Sequence, residues 1–276
     1  MARDARKWDR RIARARELAE TFPFARQILL FFCQVTAFQK SSYLQIPSAL
    51  QSSRSGLNSL PTVLDEVDLA HLLLRWQPFL SMLESEAPGP LAEFARDLKA
   101  SGQEAAAALL RSAWPAMPAR QDDLAALDRF CACTFLQPFA EFLADHAQVP
   151  APEMRIATCP FCASKPLVGV LRPEGEGGKR SLICSFCRTE WDYLRIACPT
   201  CGERREEKLC VYTTPKFEGI RVEACETCKA FLKTVDLTRN GMVVPEVDDL
   251  AAIPLTLWAD ENGFRQATRN IFVPLS

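Results

Sequence analysis

Four short runs decide how this 276-residue chain folds: Cys159-Pro160-Phe161-Cys162, Cys184-Ser185-Phe186-Cys187, Cys198-Pro199-Thr200-Cys201 and Cys225-Glu226-Thr227-Cys228. Two residues between thiolates let both sulfurs reach one ion from a single tight turn. The backbone N–H groups of that turn then face the sulfurs and spread their charge, and two such turns on adjacent hairpins complete a tetrahedron. The first two runs are separated by 21 residues and the last two by 23. That is slightly more than the ~15–20 of an ordinary four-cysteine ribbon, an excess that a longer hairpin loop absorbs. The third run starts 39 residues after the first, and the fourth 41 after the second, so pairing in sequence order makes two tandem modules. Interleaving, first run with third, stays open as an alternative. The candidate metal ligands are Cys159, Cys162, Cys184 and Cys187 in one site, and Cys198, Cys201, Cys225 and Cys228 in the other. All-thiolate tetrahedra suit zinc and iron alike, so the expected cofactors are two metal ions, Fe or Zn.

The other cysteines carry weaker signals. Cys131 and Cys133 lie two apart on a predicted helix, so their side chains diverge by ~200° and cannot clasp one ion. Cys33 and Cys131 stand among apolar neighbours and read as packing residues. Cys210 lies beside a predicted strand in the second module and is read as a non-ligand. The two histidines, His71 and His146, fall outside the cysteine-rich stretch and read as ordinary core or surface residues.

Residues 1–148 read as an all-α domain, rich in Ala, Leu, Arg and Glu and nearly free of glycine. Val63, Val67, Ala70 and Leu74 form one apolar stripe at helical spacing, and Leu124, Leu127, Cys131 and Phe135 form another, with Asp122 as its N-cap. Pro78 and Pro138, in the similar contexts Trp-Gln-Pro-Phe and Leu-Gln-Pro-Phe, are expected to break or kink their helices. Residues 47–61 read as a loop, and Val149-Pro150-Ala151-Pro152 as the domain boundary. Beyond it come strand-like runs at Leu167–Leu171, Ser181–Ile183, Val211–Thr213, Ile220–Glu223 and Phe231–Leu237, with Gly175–Gly178 as a hairpin loop. A short helix is expected over Asp248–Trp258. The fold class is therefore α+β: an N-terminal helical domain (1–148), two tandem rubredoxin-like or zinc-ribbon four-cysteine modules (153–195 and 196–240), and a C-terminal helix and tail (241–276).

Composition narrows the function. The net charge of −1 does not suit a polyanion partner. Residues 155–233 hold 14 Lys or Arg against 10 Asp or Glu, and two divalent four-thiolate sites would cancel that excess. A nucleic-acid-binding ribbon is thus a minor alternative, and no nucleic-acid partner is expected. The N-terminus is charged throughout. Arg10-Arg11 is followed by further charges rather than an apolar run, and the apolar stretch Ile28–Cys33 is too short to span a bilayer. These features predict a cytoplasmic protein without membrane insertion, in a reducing setting where thiols bind metal. A thiol–disulfide oxidoreductase would need one exposed low-pKa pair, not four matched pairs. Closed four-thiolate sites leave no metal position for a small-molecule substrate, and no acid–base constellation stands beside them, so the chain reads as a non-enzyme.

The cysteine runs also carry a resemblance. Cys159-Pro160-Phe161-Cys162, the stretch Leu182–Trp191 containing Thr189-Glu190-Trp191, Cys198–Gly202, Glu223–Lys233 and Val247-Asp248-Asp249-Leu250-Ala251 together resemble the FdhE family of formate dehydrogenase accessory proteins. The likeness covers residues 150–265 and, in helical character, the N-terminal half. Family members often carry His after Thr-Glu-Trp and Tyr after the last knuckle, where this chain has Asp192 and Phe231. The resemblance implies a cytoplasmic assembly factor that contacts the catalytic subunit of respiratory formate dehydrogenase before export, with the same eight cysteines holding iron or zinc. An iron-handling or redox rubredoxin-like role is the alternative. Metal binding and folding are one event in small ribbons, so Cys→Ser at any of the eight is expected to unfold its own module and spare the helical half.

Overall fold

The structure, a computed structural model, describes residues 2–46, 58–60, 66–114, 124–149, 156–175 and 177–273. Asp122, Pro150–Pro152 and most of the 47–61 loop lie outside the described residues. The architecture is α+β, as expected. Helices α1 (Ala2–Thr21), α2 (Arg26–Leu44), α3 (Glu66–Glu86), α4 (Gly89–Ala100), α5 (Gly102–Ala113) and α6 (Ala126–Asp145) precede strands β1 (Pro166–Glu174), β2 (Gly177–Cys184), β3 (Glu190–Asp192), β4 (Leu209–Thr213), β5 (Ile220–Cys225) and β6 (Ala230–Asp236). Two short helices, α7 (Pro245–Ala251) and α8 (Ile253–Glu261), and the two-residue strand β7 (Arg265–Gln266) follow. The single helix expected over Asp248–Trp258 is thus two. No helix among the described residues is long and apolar enough to cross a membrane.

Helix α6 is the axis of the helical half. Every residue from Phe130 to Leu143 is buried, so it has apolar contact on all sides rather than along one stripe. Pro138 does not end it. The carbonyl of Thr134, which Pro138 leaves without a helical donor, accepts the buried amide of Gln39 at 2.8 Å. Helix α3 also runs through its proline, Pro78. There the residue four earlier, Leu74, is 73% exposed, so that turn of the helix is on the solvent side. The same exposure corrects the stripe expected on α3. Ala70 and Leu74 face solvent, while Leu69, Leu72, Trp76, Phe79, Leu80 and Leu83 form the buried face. Val63, in that stripe, lies outside the described residues.

The strands form one seven-stranded sheet in the order β3-β2-β1-β6-β5-β4, with β7 beside β6. β1 and β2 are antiparallel (Gly169 opposite Leu182), as are β5 and β6 (Val222 opposite Lys233). The β1–β2 turn is tighter than expected, since Glu174 already pairs with Gly177. The two cysteine modules meet through a parallel pairing of β1 with β6, Val170 beside Val235. At this seam Gly169 lies beside Thr234, and a Cβ on Gly169 would stand 2.4 Å from Thr234 Oγ1. We expect Gly169→Ala to cost about 1–3 kcal/mol through overpacking. Adding Thr234→Ala should recover part of the loss, and a double-mutant cycle on chemical denaturation curves would measure it.

Helix α7 joins the halves, and all seven of its residues are buried. From α1, Arg11 bonds Glu246 of α7 at 2.5 Å and Glu141 of α6 at 3.0 Å, while Arg14 bonds Asp248 at 2.6 Å. Burial alone pushes Glu246 up, but Arg11 and Arg188 beside it outweigh burial and hold its carboxyl below its ordinary value. Past β7 the chain returns to the helices, where Phe272 packs against Phe31, Phe32 and Phe130.

Candidate metal centres

The turn after each second cysteine shapes the sites. Ala163, Arg188, Gly202 and Lys229 all have positive φ, at 59°, 59°, 76° and 57°. Among the described residues, those three non-glycine positions are the only ones with positive φ. The left-handed residue turns the chain back so that it closes on itself. The N–H groups of Ala163, Gly202 and Lys229 donate to the carbonyls of Cys159, Cys198 and Cys225 at 2.8–2.9 Å. The N–H groups of Cys159, Cys184 and Cys198 donate to Ser164, Thr189 and Glu203 at 2.8–2.9 Å. Each knuckle therefore satisfies part of its backbone polar groups in its own turn, and others reach outside it, as the Ser185 N–H does to the Lys165 carbonyl and the Glu226 N–H to the Lys208 carbonyl. Some N–H groups also point at sulfur: Phe186 to Cys184 at 3.3 Å and Thr200 to Cys198 at 3.4 Å. Because a side chain in this region costs about 1–2 kcal/mol, Gly202→Ala should weaken the second module by about 1 kcal/mol. Earlier loss of its ion to a chelator, with the first ion unaffected, would report the change.

The geometry brings the eight cysteines together in sequence order, not interleaved. The sulfurs of Cys159, Cys162, Cys184 and Cys187 lie within 4.8 Å of one another, as do those of Cys198, Cys201, Cys225 and Cys228. Neighbouring sulfurs are 3.5 Å (Cys159–Cys187), 3.3 Å (Cys162–Cys184) and 3.7 Å (Cys198–Cys228 and Cys201–Cys225) apart. A disulfide would need ~2.05 Å. A tetrahedron with metal–sulfur bonds of ~2.3 Å has edges of about 3.8 Å, so these groups suit an ion better than one another. Either cluster could hold a metal ion. His71 and His146 take no part; His146 Nδ1 bonds the Phe142 carbonyl at 2.8 Å. Burial drives the thiols of Cys131 and Cys133 up to about 12, which suits packing residues.

The two sites differ in depth. The first is fully buried, with Cys184 at 0% exposure, and it belongs to the same apolar cluster as the helical core. Hydrogen bonds from Cys162, Cys184 and Cys187 hold Cys159 far below its ordinary value, while burial pushes Cys184 and Cys187 well above theirs. Four thiols so close cannot all ionise unless a cation joins them. The second site is shallower: Cys201 is exposed and Cys228 half-buried. Burial alone would raise Cys225, but the N–H groups of Cys228 and Thr227 outweigh it and leave the thiol below its ordinary value.

Several supporting residues carry no signature in the sequence. Arg180 of β2 bonds Glu223 of β5 at 2.6 Å and the carbonyls of Leu194 and Ala197 at 2.8 and 3.0 Å, tying one module to the other. Glu203, just past the third knuckle, accepts the Thr227 hydroxyl of the fourth at 2.6 Å. Gln137 of α6 donates to the Phe186 carbonyl inside the second knuckle at 3.1 Å. Of the two positions that depart from the FdhE pattern, Asp192 pairs with Lys179 at 2.7 Å and Phe231 is buried. Neither is a candidate ligand.

Comparison with known proteins follows the same division. The model of the FdhE central domain matches residues 158–195, and that of the FdhE C-terminal domain matches residues 196–273. A protein FdhE homolog of Aquifex aeolicus is 29% identical over 261 residues, covering 92% of this chain and 90% of the relative. A homolog from Pseudomonas aeruginosa is 30% identical over 210 residues, covering 72% and 67%. One from Cronobacter sakazakii is 28% identical over 277 residues, covering 96% and 87%. The crystal structure of the FdhE protein from Pseudomonas aeruginosa superposes with a TM-score of 0.70 at 24% identity, over 97% of this chain and 96% of that one. It shares the fold.

Proposed function

The chain belongs to the FdhE family, and on that premise we propose that it is an accessory factor for formate dehydrogenase, not an enzyme. In this reading it works in the cytoplasm and holds the catalytic subunit of the respiratory enzyme before export. Cys159, Cys162, Cys184 and Cys187 ligate one ion, iron or zinc, and Cys198, Cys201, Cys225 and Cys228 ligate a second. Residues 1–148, 153–195, 196–240 and 241–276 are its structural units.

One observation supports the reading: each candidate metal centre gathers four sulfurs within 4.8 Å, enough to close the coordination of one ion. A closed cage offers no open position for a substrate, so its ion shapes a surface rather than performing a reaction. The test is affinity purification of the tagged chain from cells making formate dehydrogenase. The catalytic subunit should co-purify, and a deletion strain should lose formate oxidation. Normal oxidation in that strain, with no association, would discard the proposal. The exposure of Cys201 favours a second reading, in which the outer site carries iron that cycles or is handed on. Anaerobically purified protein would then show thiolate-to-iron charge-transfer absorption. Colourless protein with stoichiometric zinc under all conditions rejects it.

A further inference from the structure

Of the four left-handed residues that close the cysteine knuckles, one closes its turn differently. Ala163, Gly202 and Lys229 each donate a backbone N–H to the carbonyl of the cysteine four positions earlier. The matching carbonyl of the second knuckle, that of Cys184, instead accepts Arg188 Nη1 at 3.3 Å, and the same nitrogen donates to the Ser185 carbonyl at 3.1 Å. The guanidinium is thereby fixed within one residue's span of the Cys184 sulfur. Arg188 has φ at 59°, where any side chain costs about 1–2 kcal/mol and glycine far less.

Charge gives this arginine a task. Four thiolates around a divalent ion sum to −2, and around a trivalent ion to −1. Neutral donors reach the first cage: the Phe186 N–H points at Cys184 Sγ from 3.3 Å, and the Thr189 hydroxyl meets Cys187 Sγ at 3.1 Å. They leave the net charge in place, in a site whose four cysteines are buried within the apolar core of the helices. A buried charge is costly without an opposite one, and attraction is strong where water is excluded. Arg188 is half-buried, and the charged groups that act on it are Glu246, Arg11, Glu141 and Cys184. Both of those carboxylates are already bonded by Arg11. The second cage differs. Lys229, at the matching position, is exposed, pairs with Glu226 and lies 5.3 Å over the Phe264 ring.

We propose that Arg188 is the counter-cation of the first cage: its fixed charge stabilises the filled cage and favours a divalent over a trivalent ion there. It acts on the ion through the knuckle and is not a ligand. The proposal rests on the reading that Cys159, Cys162, Cys184 and Cys187 ligate an ion.

The test compares the wild-type full chain with Arg188→Gln and Arg188→Lys. Gln keeps the backbone strain and an N–H donor but removes the charge; Lys keeps the charge and loses the planar fork. In chelator competition on the zinc-loaded chains, Arg188→Gln should hold the tighter, first-cage ion at least tenfold less tightly and the second ion unchanged. Arg188→Lys should keep most of the affinity. On the iron-loaded chains, Arg188→Gln should shift the balance of one iron at least tenfold toward ferric, a fall of about 59 mV in its potential, and leave the other iron in place. A lost hydrogen bond alone would weaken zinc equally in both variants and move neither potential. The proposal is overturned if Arg188→Gln holds its first ion like wild type, if Arg188→Lys loses as much as Arg188→Gln, or if neither potential moves. A wild type whose first cage takes up no ion defeats the ligation reading, and the proposal with it.

Discussion

Cys184→Ser should unfold more than the module that contains it. The residue is wholly buried, and its site belongs to one apolar cluster with Trp8, Leu29, Phe79 and Phe139 of the helical half. Three contacts lock the knuckles to that half. Leu60 N–H donates to the Phe161 carbonyl at 2.7 Å, Gln137 Nε2 donates to the Phe186 carbonyl at 3.1 Å, and Trp114 meets Phe186 edge-on with ring centroids 6.3 Å apart. Metal binding in small four-ligand sites is worth roughly 10–16 kcal/mol, as much as the whole net stability of a typical domain, about 5–15 kcal/mol. Losing the first ion should therefore lower the unfolding temperature of the helices as well, against the simpler expectation that they survive any ligand loss. Cys201→Ser, at an exposed position, should lose the second ion and leave the helical melt nearly unchanged. Circular-dichroism melts with ion counts on both variants would check this. An unaltered helical transition in Cys184→Ser would show that the shared core does not couple the two halves.

Lys233→Met should cost about 3–5 kcal/mol, because it strands a buried carboxylate. Lys233 and Asp249 are both fully buried, with Nζ 2.9 Å from Asp249 Oδ1 and 2.6 Å from its carbonyl. The other carboxylate oxygen accepts the Asn270 amide at 2.9 Å. This cluster fastens α7 to β6, and α7 in turn holds Arg11 and Arg14 of α1. At about 2–4 °C per kcal/mol for a chain of this size, the unfolding midpoint should fall by roughly 10 °C. Lys233→Met with Asp249→Leu should recover part of the loss. If it recovers nothing, the pair matters for packing rather than charge.

The sites were legible because metal geometry is local. Two residues between thiols and near-equal repeat offsets are sequence quantities, and the structure assembles the same eight sulfurs in sequence order. Five of the seven strands were legible from their alternation and runs, whereas the short edge strands β3 and β7 gave no such signal. The edges of elements were not. Pro138 looks like a helix break until Gln39, nearly one hundred positions earlier, is seen to satisfy the Thr134 carbonyl. The α3 stripe failed because Ala70 and Leu74, at helical spacing, lie on the solvent face, while the bulkier Trp76 and Phe79 settled the packing. Arg180, Glu203 and Gln137 act across long sequence separations, and only the fold brings their partners near. The union of both modules in one sheet depends on Gly169 meeting Thr234, a close approach that composition does not reveal.

The ion content of the full chain purified without oxygen tests the two four-sulfur cages most directly. Elemental analysis should find two ions per chain, iron and zinc summed. Eight thiols should stay unreactive until a strong chelator is added, and the outer ion should leave first. A chain without metal, its knuckle cysteines joined as disulfides, would contradict it.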